Sequence, residues 1–130
     1  MQIRQPNQQF NFDKYPNFDK DLDPKQRAWI EVNGKAIEKN VRQLRSKLTK
    51  NCQFMAVVKA DGYGHDSTVV SEYAIKGGAS QLGVATLKEG IKLRYSVVKK
   101  PILVLGNLYT KKDLIMALKN DLMPTISSLR

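Results

Sequence analysis

Four short, almost wholly apolar runs, separated by segments of helical spacing, leave few folds open to this chain. They are Gln53 to Val58, Gln81 to Ala85, Ile102 to Leu105, and a fourth that opens with Met123-Pro124-Thr125-Ile126. Strands that are apolar at nearly every position are covered on both faces and run parallel, joined by right-handed crossovers. The runs begin at residues 53, 81, 102 and 123. This is a compact βα repeat, and both doubly wound sheets and (β/α)8 barrels begin this way. Periodicity alone does not separate them. No G-x-G-x-x-G follows the first strand, which weighs against a dinucleotide-binding sheet.

The intervening segments carry helix punctuation. Ser67 to Lys76 is closed by Gly77-Gly78, Thr86 stands three residues before Glu89 at capping-box spacing, and Thr110 stands three before Asp113. Upstream, Ala28 to Val32 reads as a strand and Asn33 as an N-cap. Ala36, Ile37, Val41, Leu44 and Leu48 then recur on one helical face, with Lys39, Arg42 and Arg45 opposite. Residues 1–26 read as a flexible polar leader. They are rich in Asn, Gln and Asp, broken by Pro6 and Pro16, and poor in aliphatic side chains. Residues 27–130 form the folded part.

Composition narrows the function classes. A domain of 130 residues buries about two-thirds of the surface its unfolded chain exposes, enough for a real core. The net charge of +10 invites a nucleic-acid partner, but the basic residues are scattered along helices among aliphatic neighbours. Stacking aromatics interleaved with charge, which single-strand binders need, are missing, so no nucleic-acid partner is expected. The single cysteine, Cys52, cannot close an internal disulfide and reads as a packing residue; with one histidine it leaves too little for a zinc site. No apolar run approaches the roughly 20 residues of a membrane span, and the polar N-terminus is unlike a signal peptide. A cytoplasmic protein without a membrane partner is expected.

The chemistry concentrates in Phe54-Met55-Ala56-Val57-Val58-Lys59-Ala60-Asp61-Gly62-Tyr63-Gly64-His65. An apolar strand ends on a lysine and enters a glycine-flanked turn bearing a tyrosine and the only histidine. Such a lysine either snorkels to solvent or sits where it can lose its proton and act as a Schiff-base nucleophile. Strand alternation puts Met55, Val57 and Lys59 on one face and Phe54, Ala56 and Val58 on the other.

Ala56-Val57-Val58-Lys59-Ala60-Asp61-Gly62-Tyr63-Gly64-His65 resembles the pyridoxal phosphate attachment site of alanine racemases, AVVKA-(N/D)-AYGHG. Trp29-Ile30-Glu31-Val32 is similar to that family's opening strand. Gly77-Gly78-Ala79-Ser80 with Gly83-Val84-Ala85, and Pro101-Ile102-Leu103-Val104-Leu105-Gly106, resemble two further family elements, in family order and spacing. The resemblance spans residues 28 to about 126. It implies an α/β fold that is the N-terminal part of a (β/α)8 TIM-type barrel, about four βα units, ending after the fourth strand. The full-length family adds a β-rich C-terminal domain and works as a homodimer.

The implied function is interconversion of L- and D-alanine, supplying D-alanine for peptidoglycan, with pyridoxal 5′-phosphate as cofactor and alanine as small-molecule substrate. Lys59 is the implied catalytic residue and the point of cofactor attachment. Tyr63 is implied to donate its hydroxyl toward the cofactor phosphate; its plainer reading is a turn aromatic packed on the next helix. Val57, beneath Lys59, and Leu105, at the end of its strand, are the expected ring-wall residues. His65 receives no role beyond local hydrogen bonding. Gly62 replaces the family's usual alanine, and Asp66 its usual glycine; aspartate tolerates a positive φ and can cap the following helix. The opposite-face base and the substrate and pyridine-nitrogen arginines of the family fall beyond residue 130, so this chain is expected not to turn over by itself. The rival readings are a pyridoxal phosphate carrier without racemase activity and a basic binding module.

Overall fold

A computed structural model of the chain describes residues 3–4, 30–96 and 98–128. The polar leader expected over residues 1–26 falls mostly outside them. Two compact units emerge, Met1–Asn33 and Gly34–Arg130. In the first, β1 (Ile3–Arg4) pairs in parallel with β2 (Ile30–Glu31), Ile3 opposite Ile30. The strand expected over Ala28 to Val32 is thus confined, among described residues, to Ile30–Glu31.

The second unit runs α1 (Gly34–Arg45), β3 (Met55–Val57), α2 (Lys59–Tyr63), α3 (Ser67–Gly77), β4 (Gln81–Val84), α4 (Leu87–Tyr95), β5 (Ile102–Asn107), α5 (Lys111–Lys119) and β6 (Met123–Thr125). Its four strands are all parallel and lie side by side in chain order, β3-β4-β5-β6. Each is short, with apolar side chains on both faces, so helices must return each crossover to the sheet.

They return to one face only. Leu82 and Val84 of β4, Ile102 and Val104 of β5, and Val58 form a single buried cluster with Leu93 of α4, Ala117 of α5 and Leu122; Val70 and Ile75 of α3 and Ile91 of α4 pack on it. The alternate residues Val57, Leu105 and Met123 face the other way and stay exposed. Sequential strand order with helices on one side is an arc of a barrel. A doubly wound sheet would reverse its strand order and place helices on both faces.

Local chemistry sets the ends of the helices. Asp66, at φ 64°, caps α3 by accepting from the Thr68 and Val69 amides at 2.8 and 3.1 Å. Thr86 and Glu89 form the full capping box expected of α4, and Thr110 accepts from the Asp113 amide at 3.1 Å to open α5. Gly78 closes α3 in the left-handed conformation.

The structure corrects three expectations. Only Val41 of the proposed apolar stripe is buried in α1; Leu44 and Leu48 are exposed. The reason is the close approach of α1 to α3. A Cβ on Gly77 would lie 2.7 Å from Val41 Cβ and 2.8 Å from the Glu38 carbonyl oxygen. That contact sets Val41 against α3, while Leu44 and Leu48 fall on the side of the chain turned to solvent. Cys52 is exposed rather than packed, because it lies in the loop ahead of β3. The strand expected over Gln53 to Val58 is shorter, ending at Val57.

Candidate functional site

Lys59 sits two residues beyond the end of β3, at the carboxyl edge of the sheet. Sequence alternation put it in the strand, directly above Val57. Instead Val58, at φ −123° and ψ 24°, leaves the extended region while its amide still donates to the Gly83 carbonyl at 2.8 Å. Lys59 therefore opens α2, and strand alternation no longer fixes its direction. Its side chain is exposed, and its ammonium has no hydrogen bond or ion pair among the described residues.

Beyond Lys59 the backbone winds with the opposite hand to an ordinary helix. Ala60, Asp61, Gly62, Tyr63 and Gly64 all have positive φ, between 50° and 81°. The Gly62 amide donates to the Val58 carbonyl and the Gly64 amide to the Ala60 carbonyl, both at 3.0 Å, so this is one turn of left-handed helix. Each non-glycine residue in that conformation costs roughly 1–2 kcal/mol. Such strain persists only where the surroundings over-determine it, and it clusters at functional sites.

Two carboxylates supply that over-determination. Asp61 Oδ1 accepts from the Ser67 amide at 3.2 Å, the Ser67 hydroxyl at 3.0 Å and the Lys92 ammonium at 2.8 Å. Glu89 Oε1 accepts from the Ala60 amide at 2.8 Å, while its Oε2 accepts from the Ala85 and Thr86 amides. The residues flanking Lys59 are thus tied to the starts of both α3 and α4. Sequence reasoning flagged Glu89 only as a cap and gave Asp61 no role. The one signal available was the density of residues that tolerate positive φ, Asp61, Gly62 and Gly64.

Val57 and Leu105 both approach the space above Gly83, although they belong to strands separated by β4. A Cβ on Gly83 would touch Met55 Sδ at 3.2 Å, Val57 Cγ2 at 3.4 Å and Leu105 Cδ1 at 3.6 Å. These three side chains therefore converge over the glycine on the open face. Leu105 is not the last residue of its strand, as expected, because β5 continues to Asn107. Tyr63 is 59% exposed, so its ring is not packed on the following helix. His65 Nδ1 donates to the Tyr63 carbonyl at 3.0 Å, a local contact. No group of metal-ligating side chains occurs among the described residues, and no helix there is long and apolar enough to cross a membrane.

The Lys92 ammonium, and next the Ser67 amide, hold the Asp61 carboxyl below its ordinary range. A carboxylate depressed in the folded state contributes stability above its unfolded value, 3.8, and loses it as pH falls through the folded value. Asp61→Asn is therefore expected to lower the thermal midpoint at neutral pH, with the gap to the unaltered chain closing as the pH falls from 3.8 through the depressed folded value. A gap that stayed constant with pH would show that the Asp61 charge does not hold the turn.

Known proteins share this arrangement of strands and helices. The family described as "Alanine racemase, N-terminal domain" matches residues 32–130. The alanine racemase of Prochlorococcus marinus is 55% identical over 109 residues, 84% of this chain and 28% of that protein. That of a Nostoc species is 46% identical over 103 residues, covering 79% and 27%. Among solved structures, the Bacillus anthracis alanine racemase with bound L-Ala-P superposes with a TM-score of 0.72 at 38% identity, covering 75% of this chain and 25% of that one. The alanine racemase from E. faecalis gives 0.70 at 36%, covering 73% and 25%. The chain spans between 20% and 28% of the length of the curated relatives it matches.

Proposed function

Since the chain belongs to the alanine racemase family through that family's N-terminal domain, we propose that it carries the lysine-bearing part of a pyridoxal-phosphate-dependent enzyme interconverting L- and D-alanine. The observation that carries this reading is Lys59, exposed and without an ionic partner among the described residues, at the carboxyl edge of a parallel sheet and at the mouth of a doubly anchored left-handed turn. Carboxyl edges of such strands are where barrel enzymes place their chemistry. A fixed backbone on both sides of a free amine keeps the nucleophile in one place.

The side chains present fit pyridoxal phosphate. Lys59 offers a primary amine for its aldehyde, and Val57 and Leu105 offer an apolar wall that converges over Gly83. Tyr63 offers a phenol that is not consumed by packing. When bound, the cofactor supplies an electron sink for the pair left at the substrate α-carbon. Lys59 Nζ would hold the cofactor through its aldehyde carbon and, as this chain's own base, would hold or return the α-proton on its own face of the substrate. Val57 and Leu105 would restrain the ring, and Tyr63 would donate its hydroxyl toward the phosphate.

The base for the opposite face and the arginines for the pyridine nitrogen and substrate carboxylate belong, by the family resemblance, to segments outside the quarter matched here. The same resemblance supports a homodimer, and the lone cysteine a reducing cytoplasm. D-Alanine for peptidoglycan is the product such an enzyme would supply.

The test is a chimera in which residues 32–130 replace the matching segment of the Prochlorococcus marinus relative. The expected outcome is conversion of L- to D-alanine that disappears with Lys59→Ala. A chimera that holds the cofactor on Lys59 yet leaves alanine unconverted would replace this reading with a cofactor carrier.

A further inference from the structure

Glu89 does more than its position in the sequence requires. As the third residue of α4 it needs only to reach back to the Thr86 amide to complete a capping box. Its Oε2 does this at 3.0 Å and also accepts from Ala85 at 2.8 Å. The second oxygen, Oε1, is directed out of its own βα unit to the Ala60 amide, 2.8 Å away and 29 residues earlier in the chain. One turn along the same helix, the Lys92 ammonium reaches Asp61, the next residue of the same turn, at 2.8 Å. Two side chains on one face of α4 thus grip two consecutive residues immediately after Lys59. Ala60 and Asp61 have φ of 50° and 53°, a left-handed conformation that costs alanine most, so the exit direction of the chain from Lys59 depends on this grip.

We propose that Glu89 is a positioning residue for Lys59: by holding the Ala60 amide it fixes the left-handed turn that presents the lysine amine to the cofactor aldehyde, with Lys92 as its auxiliary. The proposal rests on Lys59 being the attachment point. It assigns to α4 a role in cofactor capture, exerted through the backbone beside Lys59. A carboxylate-to-amide bond is charge-assisted, and its loss leaves an amide facing no acceptor in a strained turn.

The experiment uses the full chain, pyridoxal phosphate and borohydride, which reduces the lysine linkage to a stable secondary amine, followed by peptide mapping. The readout is the rate of labelling at Lys59 relative to the mean of the other lysines. Glu89→Gln keeps the size of the side chain but has one oxygen where the structure uses two. It is expected to lower that ratio about tenfold, the scale of one charge-assisted hydrogen bond. Thr86→Ala removes the other half of the cap and leaves the Glu89 carboxylate on Ala60; it is expected to lower the thermal midpoint while leaving the ratio unchanged. An unchanged ratio in Glu89→Gln, or an equal fall in both variants, would overturn the proposal and leave Glu89 as a helix cap.

If the unaltered chain shows no preference for Lys59, the proposed function itself falls, a result read without any variant. Should Glu89→Gln fail to fold, amide exchange in the unaltered chain still decides. The Ala60 amide is expected to be protected although the turn is exposed, and free exchange there would overturn the proposal.

Discussion

Lys59→Ala is expected to abolish site-specific capture of pyridoxal phosphate, lowering label at position 59 to nothing and total specific label by at least about a hundredfold, because covalent attachment requires the amine itself. The fold should be indifferent to the change. Lys59 is exposed and makes no hydrogen bond or ion pair among the described residues, and the turn beyond it is held by Asp61 and Glu89 rather than by the lysine. Circular dichroism and thermal midpoint should therefore match the unaltered chain while the near-visible absorbance of the cofactor linkage disappears. Borohydride reduction and peptide mapping read the result directly. Label that persists at the same overall level and is spread over surface lysines would mean that Lys59 is an ordinary solvated cation. A variant that loses stability as well would mean that the amine has a structural partner.

The largest structural loss is expected from Gly106→Ala. A Cβ at this position would stand 2.5 Å from the carbonyl oxygen of Ala85, and that oxygen also accepts the Gly106 amide at 3.1 Å. The obstacle is backbone, so no rotamer change relieves it, and β5 must move away from the end of β4 at the carboxyl edge. Overpacking of this kind costs about 1–3 kcal/mol. The movement falls where Glu89 accepts the Ala85 amide, so it should also disturb the anchor of the Lys59 turn. Chemical denaturation measures the first effect and the Lys59 labelling ratio the second. A stable variant with normal labelling would show that the two strand ends are not held as close as described. The motif Pro101 to Gly106 ends in glycine for this steric reason, which the sequence string alone did not disclose.

Much of the fold was legible because its signals are local. The caps at Asp66, Thr86 and Thr110 are contacts between residues two or three apart, and each was readable from spacing. The strand faces followed from alternation wherever the strand persists, so Val57 and Leu105 lie on the same open face. Alternation failed at Lys59 because the strand ends first, and helical spacing failed at Leu44 because α3 covers α1 at Val41 and leaves Leu44 exposed.

The sequence by itself determined that the chain is built of parallel βα units, where α3, α4 and α5 begin, and which lysine follows the first strand of the repeat. Those properties arise from hydrogen bonds and side-chain periodicity within a few residues. Only the tertiary structure decided between an arc of a barrel and a doubly wound sheet, because that choice depends on which face of the sheet the helices cover. Only it showed the left-handed turn and its anchors. Lys92 and Asp61 are 31 residues apart and Glu89 and Ala60 are 29 apart, and a charge that finds its partner across another βα unit leaves no periodic trace in the chain. Those long-range contacts turn an exposed lysine into a fixed one.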